Sequence, residues 1–282
     1  MLRSLMFLPG NSPAMLLNGA ILGADGIILD LEDAVALDQK DAARELVAQA
    51  LESLDFGKVE LIVRINALDT EYWQKDLQAI SKYNPIIMPA KLSSKEDCDK
   101  LCAYLKELGQ KEIRIIPLLE TALAIENAYE IAKNENVIAL FLGAEDLTVD
   151  LTCKRTREGE EILYARSRIV NAAKANHKLA IDTPFADVED LEGLKLDCQK
   201  AKSLGFDAKA SISPRHIEEI NNCFSPTAEE IAYARAVINA IEEGKKEGKG
   251  AVSYKGKMID KPIVLRAESV LESAKALGLD YE

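Results

Sequence analysis

The feature that most constrains this chain is a repeated alternation: a short apolar run suited to a strand, then a longer stretch with helical periodicity, eight times over. The runs are LRSLMFLPG at 2–10, GIILDLED at 26–33, VELIVRIN at 59–66, IIMPAK at 86–91, IRIIPLLE at 113–120, VIALFLGAED at 137–146, KLAIDTP at 178–184 and DAKASISP at 207–214. They are near-continuous apolar runs rather than clean polar–apolar alternations, as strands buried on both faces require. Regular strand–helix repetition implies a parallel sheet, and eight units imply its closure. The expected fold is therefore a single α/β (β/α)8 TIM barrel. The 282 residues exceed the roughly 250 that such a barrel typically needs, so a C-terminal helical extension is expected.

Helix starts are marked by Ser12–Pro13, Ser93/Ser94 and Thr121, residue types that cap or open helices. Two stretches break the repetition. LTVDLTCKRTREGE at 147–160 reads as a polar loop over the barrel mouth. Beyond the eighth run come a helix near 227–243, a Gly- and Lys-rich interruption, and a last helix near 262–277. We expect residues 1–225 to form the barrel core. Residues 226–282 then form the extension, packing on or across a neighbouring subunit, within one structural domain overall.

Composition narrows the function classes. A net charge of −12 repels nucleic acid over most of the surface. No apolar run is long enough to span a bilayer, and no charged-then-apolar leader opens the chain. The five cysteines are scattered without a C-x-x-C pair, which argues against structural zinc and for a reducing, cytoplasmic setting. With only two histidines, His177 and His216, a His-ligated zinc site or a Ser–His–Asp triad is hard to build.

In a parallel α/β barrel the reactive side chains stand at the C-terminal ends of strands. Here those ends carry Asp30, Glu32 and Asp33 (run two), Arg64 and Asn66 (three), Lys91 (four), Glu120 (five), Glu145 and Asp146 (six), Asp182 and Thr183 (seven), and Ser211 and Ser213 (eight). This is a ring of carboxylates with one arginine. Oxygen donors without histidine or thiolate favour a hard cation, Mg²⁺ or Mn²⁺. A carboxylate directly after an apolar strand is either a helix cap or a ligand. Two of them on adjacent strands, Glu120 and Asp146, close to Asp30 and Asp33, favour a divalent ion, which relieves their mutual repulsion. Arg64 needs an anion: an ion pair with Asp30 or Asp33, or a substrate carboxylate gripped by two parallel hydrogen bonds. Lys91 offers competing Schiff-base aldolase chemistry, although the surrounding carboxylates hold it protonated.

At these residues the chain resembles the HpcH/HpaI aldolase–citrate lyase family, and within it the citrate lyase beta-like proteins. The matching segments are RSLMFLPGN at 3–11, DLEDAV at 30–35, VRIN at 63–66, PLLET at 117–121, GAEDL at 143–147, RTREGEEILYARS at 155–167 and GKMIDKP at 256–262. They keep their order over nearly the whole chain, and as a set they are specific. The MPAK segment departs from a shorter proline–lysine junction.

The resemblance implies a carbon–carbon lyase that cleaves a citryl-type thioester, on CoA or an acyl-carrier protein, to oxaloacetate and an acetyl thioester. It implies Mg²⁺ on Glu120 and Asp146, with Arg64 and Glu120 binding the oxo acid, Arg64 acting in catalysis as well, and Asp30, Glu32, Asp33, Asn66 and Lys91 around them. It also implies that Asp260 is the acid/base, delivered from an adjacent subunit of a homotrimer. By position alone Asp260 is an N-cap of the last helix, with Pro262 just inside it. Citrate lyase alpha and gamma (carrier) subunits are implied partners. Alternatives are a free-standing malyl-CoA or citramalyl-CoA lyase or thioesterase, and a non-catalytic subunit that docks a carrier.

Overall fold

A computed structural model describes residues 1–246, 252–254 and 257–279. Eight parallel strands, β1 (Ser4–Pro9), β2 (Gly26–Asp30), β3 (Glu60–Ile65), β4 (Ile86–Pro89), β5 (Leu118–Leu119), β6 (Ala139–Leu142), β7 (Leu179–Asp182) and β8 (Ala208–Ser211), run in the order β4-β3-β2-β1-β8-β7-β6-β5. The two ends of this sheet meet through Ile115, which bridges in parallel to Ile87 on one side and Val137 on the other. The barrel expected from the sequence is thus formed and nearly closed. The fifth run is strand over only two residues, although 113–120 was expected; Pro117 in its middle has no N–H to give to the ladder.

The helices are α1 (Pro13–Asn18), α2 (Lys40–Ser53), α3 (Trp73–Ile80), α4 (Lys95–Glu107), α5 (Ala122–Ala132), α6 (Ala144–Asp150), α7 (Leu163–Ala175), α8 (Leu191–Leu204), α9 (Ile217–Phe224), α10 (Ala228–Lys246) and α11 (Lys261–Ala276). Ser94 closes a full capping box on α4, and Thr121 Oγ1 caps α5 by accepting from Ala124 N–H. Ser12 occupies the N-cap of α1 without a side-chain cap bond. The polar loop expected at 147–160 is only partly a loop. Its first residues belong to α6, which begins directly after Gly143 and carries Glu145 and Asp146 in its first turn, where acidic side chains suit the positive helix end.

The barrel interior follows a two-residue count. Leu5, Ile28, Ile62, Ile86 with Met88, Ile116 with Leu118, Ala139 with Phe141, Ile181, and Ala208 with Ala210 form one buried cluster. Successive strand residues point to opposite faces. Counting on by two from this cluster brings Asp30, Arg64, Glu120, Gly143 and Thr183 to the C-terminal mouth. The residues in between face the helices; Lys209 and Asp182 are both fully buried there.

Residues 2–221 form one compact unit and the residues from Asn222 onward another. In the second, α10 packs on α11 beside a hairpin of β9 (Val252–Tyr254) and β10 (Lys257–Ile259), around Ala234, Val237, Ile259 and Ala267. Among the described residues no helix is long and apolar enough to cross a membrane.

Candidate active site at the barrel mouth

The mouth holds a cavity of about 500 Å³ whose walls include Asp30, Arg64, Glu120, Gly143, Asp146 and Thr183. Its apolar floor includes Phe7 and Phe141, in edge contact at 5.9 Å between ring centroids.

Arg64 reaches across from β3 to β2. Its Nε donates to Asp30 Oδ1 at 2.7 Å and its Nη2 to Asp30 Oδ2 at 2.5 Å, while Nη1 lies 3.2 Å from Glu32 Oε2 and 3.8 Å from Asp33 Oδ2. The guanidinium also sits over the Phe7 ring, 5.1 Å from its centroid. Of the two readings of Arg64, the ion pair is therefore realised, and the two-pronged fork is taken by Asp30. Asp30 further accepts from the N–H groups of Glu32 and Ala34, which folds the DLEDA segment into a tight loop. Asn66 serves that loop from behind: its Nδ2 donates to Leu31 O at 3.0 Å and to Asp76 Oδ2 at 2.7 Å. Asn66 is buried, and its bond to Leu31 O holds the loop backbone in place while Asp76 anchors the amide.

Glu120 is buried to 3% exposure and accepts from the Lys91 backbone N–H at 2.8 Å. Burial pushes its carboxyl up to about 8; the Lys91 N–H pulls the other way, and the negative fields of Asp146 and Glu32 add to the rise. The Oδ2 of Asp146 is buried without a hydrogen-bond partner. Lys91 has a left-handed backbone, φ 52°, uncommon for a residue with a side chain. Its ammonium lies 3.6 Å from Glu32 Oε1 and 3.7 Å from Asp146 Oδ2. Burial draws its pKa down, but the carboxylates of Glu32, Asp146, Asp33 and Glu120 more than reverse this and raise it. That is the wrong direction for an amine nucleophile.

Two strand-end residues are divided by the two-residue count. Asp182 turns outward and joins a buried ion cluster: Arg166 donates to it through Nε at 3.0 Å and Nη2 at 2.9 Å, and Lys209 Nζ at 2.6 Å. Asp197 completes the cluster, 2.7 Å from Arg166 Nη2 and 2.6 Å from Lys209 Nζ. Thr183 turns inward, and its Oγ1 accepts from Ala144 N–H at 3.2 Å. Neither the importance of Gly143 nor the inward turn of Thr183 was read from the sequence, although counting by two from Ile181 and Phe141 finds both.

Asp260 belongs to the second compact unit. There its side chain is exposed and N-caps α11, accepting from Ile263 N–H at 3.2 Å, with Pro262 in the first turn.

Residues 3–214 match the HpcH/HpaI aldolase/citrate lyase family. The chain belongs to that family. It is similar to the citrate lyase subunit beta of Leuconostoc mesenteroides subsp. cremoris, 43% identical over 97% of this chain and 93% of the relative. It is also similar to a (3S)-malyl-CoA thioesterase of Cereibacter sphaeroides, 33% identical over 98% and 95%. Among solved structures it resembles the protein CitE from Mycobacterium tuberculosis in complex with magnesium, acetoacetate and coenzyme A. There the TM-score is 0.81 and the identity 32%, over 97% of this chain and 98% of the other. The chain is accordingly a carbon–carbon lyase of the HpcH/HpaI family.

The donor set fits a hard cation. Glu120 and Asp146 offer oxygen only, and Asp146 Oδ2 is buried with no hydrogen-bond partner, its nearest cation being Lys91 Nζ at 3.7 Å. Among the described residues no group of three or more His, Cys, Asp or Glu side chains is arranged to hold a metal. Mg²⁺ is usually bound by one or two carboxylates and takes its other oxygens from water and substrate.

Proposed function

We propose that this chain cleaves a 3-hydroxy-3-carboxyacyl thioester of the citryl type, carried on an acyl-carrier protein or CoA, into oxaloacetate and an acetyl thioester. The observation that carries this reading is that Glu120 and Asp146 line the same apolar-floored cavity beside Arg64, close enough that, besides burial, the charge of Asp146 helps raise the Glu120 carboxyl. The magnesium, acetoacetate and coenzyme A held by the CitE relative support it.

In this reading Glu120 and Asp146 hold Mg²⁺, which when bound polarises the keto or hydroxyl oxygen of the oxo-acid end. Arg64 orients the substrate carboxylate through Nη1, where the substrate takes the place of Glu32 at 3.2 Å, since Asp30 occupies Nε and Nη2. Phe7 and Phe141 keep water from the reacting carbons. The C3 hydroxyl gives up its proton to the Asp260 carboxylate, its electron pair forms the keto C=O, and the bond from C3 to the thioester-bearing methylene breaks to leave the thioester enolate. Asp260, supplied by the neighbouring subunit of a homotrimer, delivers a proton to the enolate carbon of the acetyl thioester. On a carrier-bound substrate the citrate lyase alpha and gamma (carrier) subunits are the partners of this role; on CoA none is required.

The similarity to a malyl-CoA thioesterase favours a second reading, hydrolysis of a malyl thioester. A panel of citryl-, malyl- and citramalyl-CoA, with and without Mg²⁺, separates the two. Release of an oxo acid from the citryl thioester, abolished in Glu120→Ala and Asp146→Ala variants that remain folded, supports the lyase. Release of free CoA without carbon–carbon cleavage supports the thioesterase. Full activity in excess EDTA would reject both metal-dependent readings.

A further inference from the structure

We infer that Thr183 is a positioning residue for Asp146, acting as a helix cap supplied by a neighbouring strand. The inference rests on the proposal that Glu120 and Asp146 hold Mg²⁺. Helix α6 presents Asp146 in its first turn, yet its own N-cap residue, Gly143, has no side chain to satisfy the free N–H groups there. The hydroxyl of Thr183, at the end of β7, accepts from Ala144 N–H at 3.2 Å and fills that role from outside the helix.

The cap is rigidly mounted. Thr183 is fully buried, and its carbonyl accepts from Lys209 Nζ at 2.7 Å. Lys209 is itself locked between Asp182 and Asp197, both of which Arg166 also grips. On its other flank the start of α6 is wedged against Glu120: a Cβ added to Gly143 would lie 2.8 Å from Glu120 Oε2. The start of α6 is thus tied by the Thr183 hydroxyl and by Gly143 N–H donating to Leu119 O at 3.0 Å, with Glu120 packed close against Gly143. That fixes the backbone from which the Asp146 side chain projects beside Glu120. Groups hydrogen-bonded directly to a metal ligand typically govern metal affinity by about 10- to 100-fold, and a cap that acts through the ligand's backbone belongs at the low end of that range.

The test measures Mg²⁺ binding by calorimetry, without turnover, on the full chain. Thr183→Val keeps the shape and removes the acceptor; Thr183→Ser keeps the acceptor. About tenfold weaker binding in Thr183→Val, with binding retained in Thr183→Ser and unfolding temperatures near the parent's, is the expected result. Binding in Thr183→Val within twofold of the parent, or equal loss in both variants, overturns the inference. If Thr183→Val fails to fold, Thr183→Ala poses the same question with more room. Glu120→Gln serves as the control. Parent binding that is lost in Glu120→Gln upholds the metal site whatever Thr183 does, whereas a parent that binds no Mg²⁺ brings down the site and the inference together.

Discussion

Gly143 and Glu120 are packed so closely that a Cβ on Gly143 would lie 2.7 Å from Glu120 Cβ. No side chain fits between the end of β6 and this carboxylate. Gly143→Ala must therefore shift Glu120 or α6. We expect about tenfold weaker Mg²⁺ binding, with a stability loss of about 1–3 kcal/mol from overpacking. Calorimetric metal titration and urea unfolding of the variant check both.

The Asp30–Arg64 pair makes a second prediction. Asp30 is 1% exposed, and Arg64 is committed to it through two hydrogen bonds. Asp30→Ala leaves a mostly buried guanidinium short of its main partner and removes the acceptor for Glu32 and Ala34 N–H. Loss of one partner from a buried pair costs about 3–5 kcal/mol. A urea midpoint unchanged from the parent's would contradict the pairing.

Lys91 separates two chemistries. Its ammonium stands between Glu32 and Asp146, which favours the charged form over a nucleophilic amine. Borohydride added with oxaloacetate should leave Lys91 unmodified by mass spectrometry. A reduced adduct on Lys91 would instead establish a Schiff-base aldolase.

Acid should loosen the 155–161 segment before the barrel. Burial alone would raise the Glu161 carboxyl, but donation from the Thr156 hydroxyl and N–H and from Arg155 Nη1 brings it to about 2. An unfolded glutamate titrates near about 4.3. Because the folded value is the lower one, this contribution is fully present above about pH 5 and is lost as the pH falls through about 4 toward about 2. Glu161→Gln should flatten the pH dependence of stability across that window, as followed by thermal unfolding at stepped pH.

Much of the site was legible because a strand alternates faces with a period fixed by covalent geometry. Asp30, Arg64 and Glu120 each stand two residues beyond a core residue on their own strand, Ile28, Ile62 and Leu118. The same count, applied to Ile181, gives Thr183 and not Asp182 as the inward residue. Asp146 was placed at a strand end and lies instead in the first turn of α6. Periodicity says where an apolar run stops but not how soon the next helix begins.

The sequence by itself determined the barrel and the ring of acids at its mouth, since strand periodicity, burial and helix caps are local properties of the chain. Only the tertiary structure decided how the charges are matched. Arg64 closes on Asp30 across 34 residues, and Lys209 on Asp182 across 27. Thr183 caps a helix 39 residues away from it in the chain. Such partners are chosen by distance and burial in the closed barrel, where a buried charge or N–H must find whatever group lies within about 3 Å, and no local pattern encodes that choice.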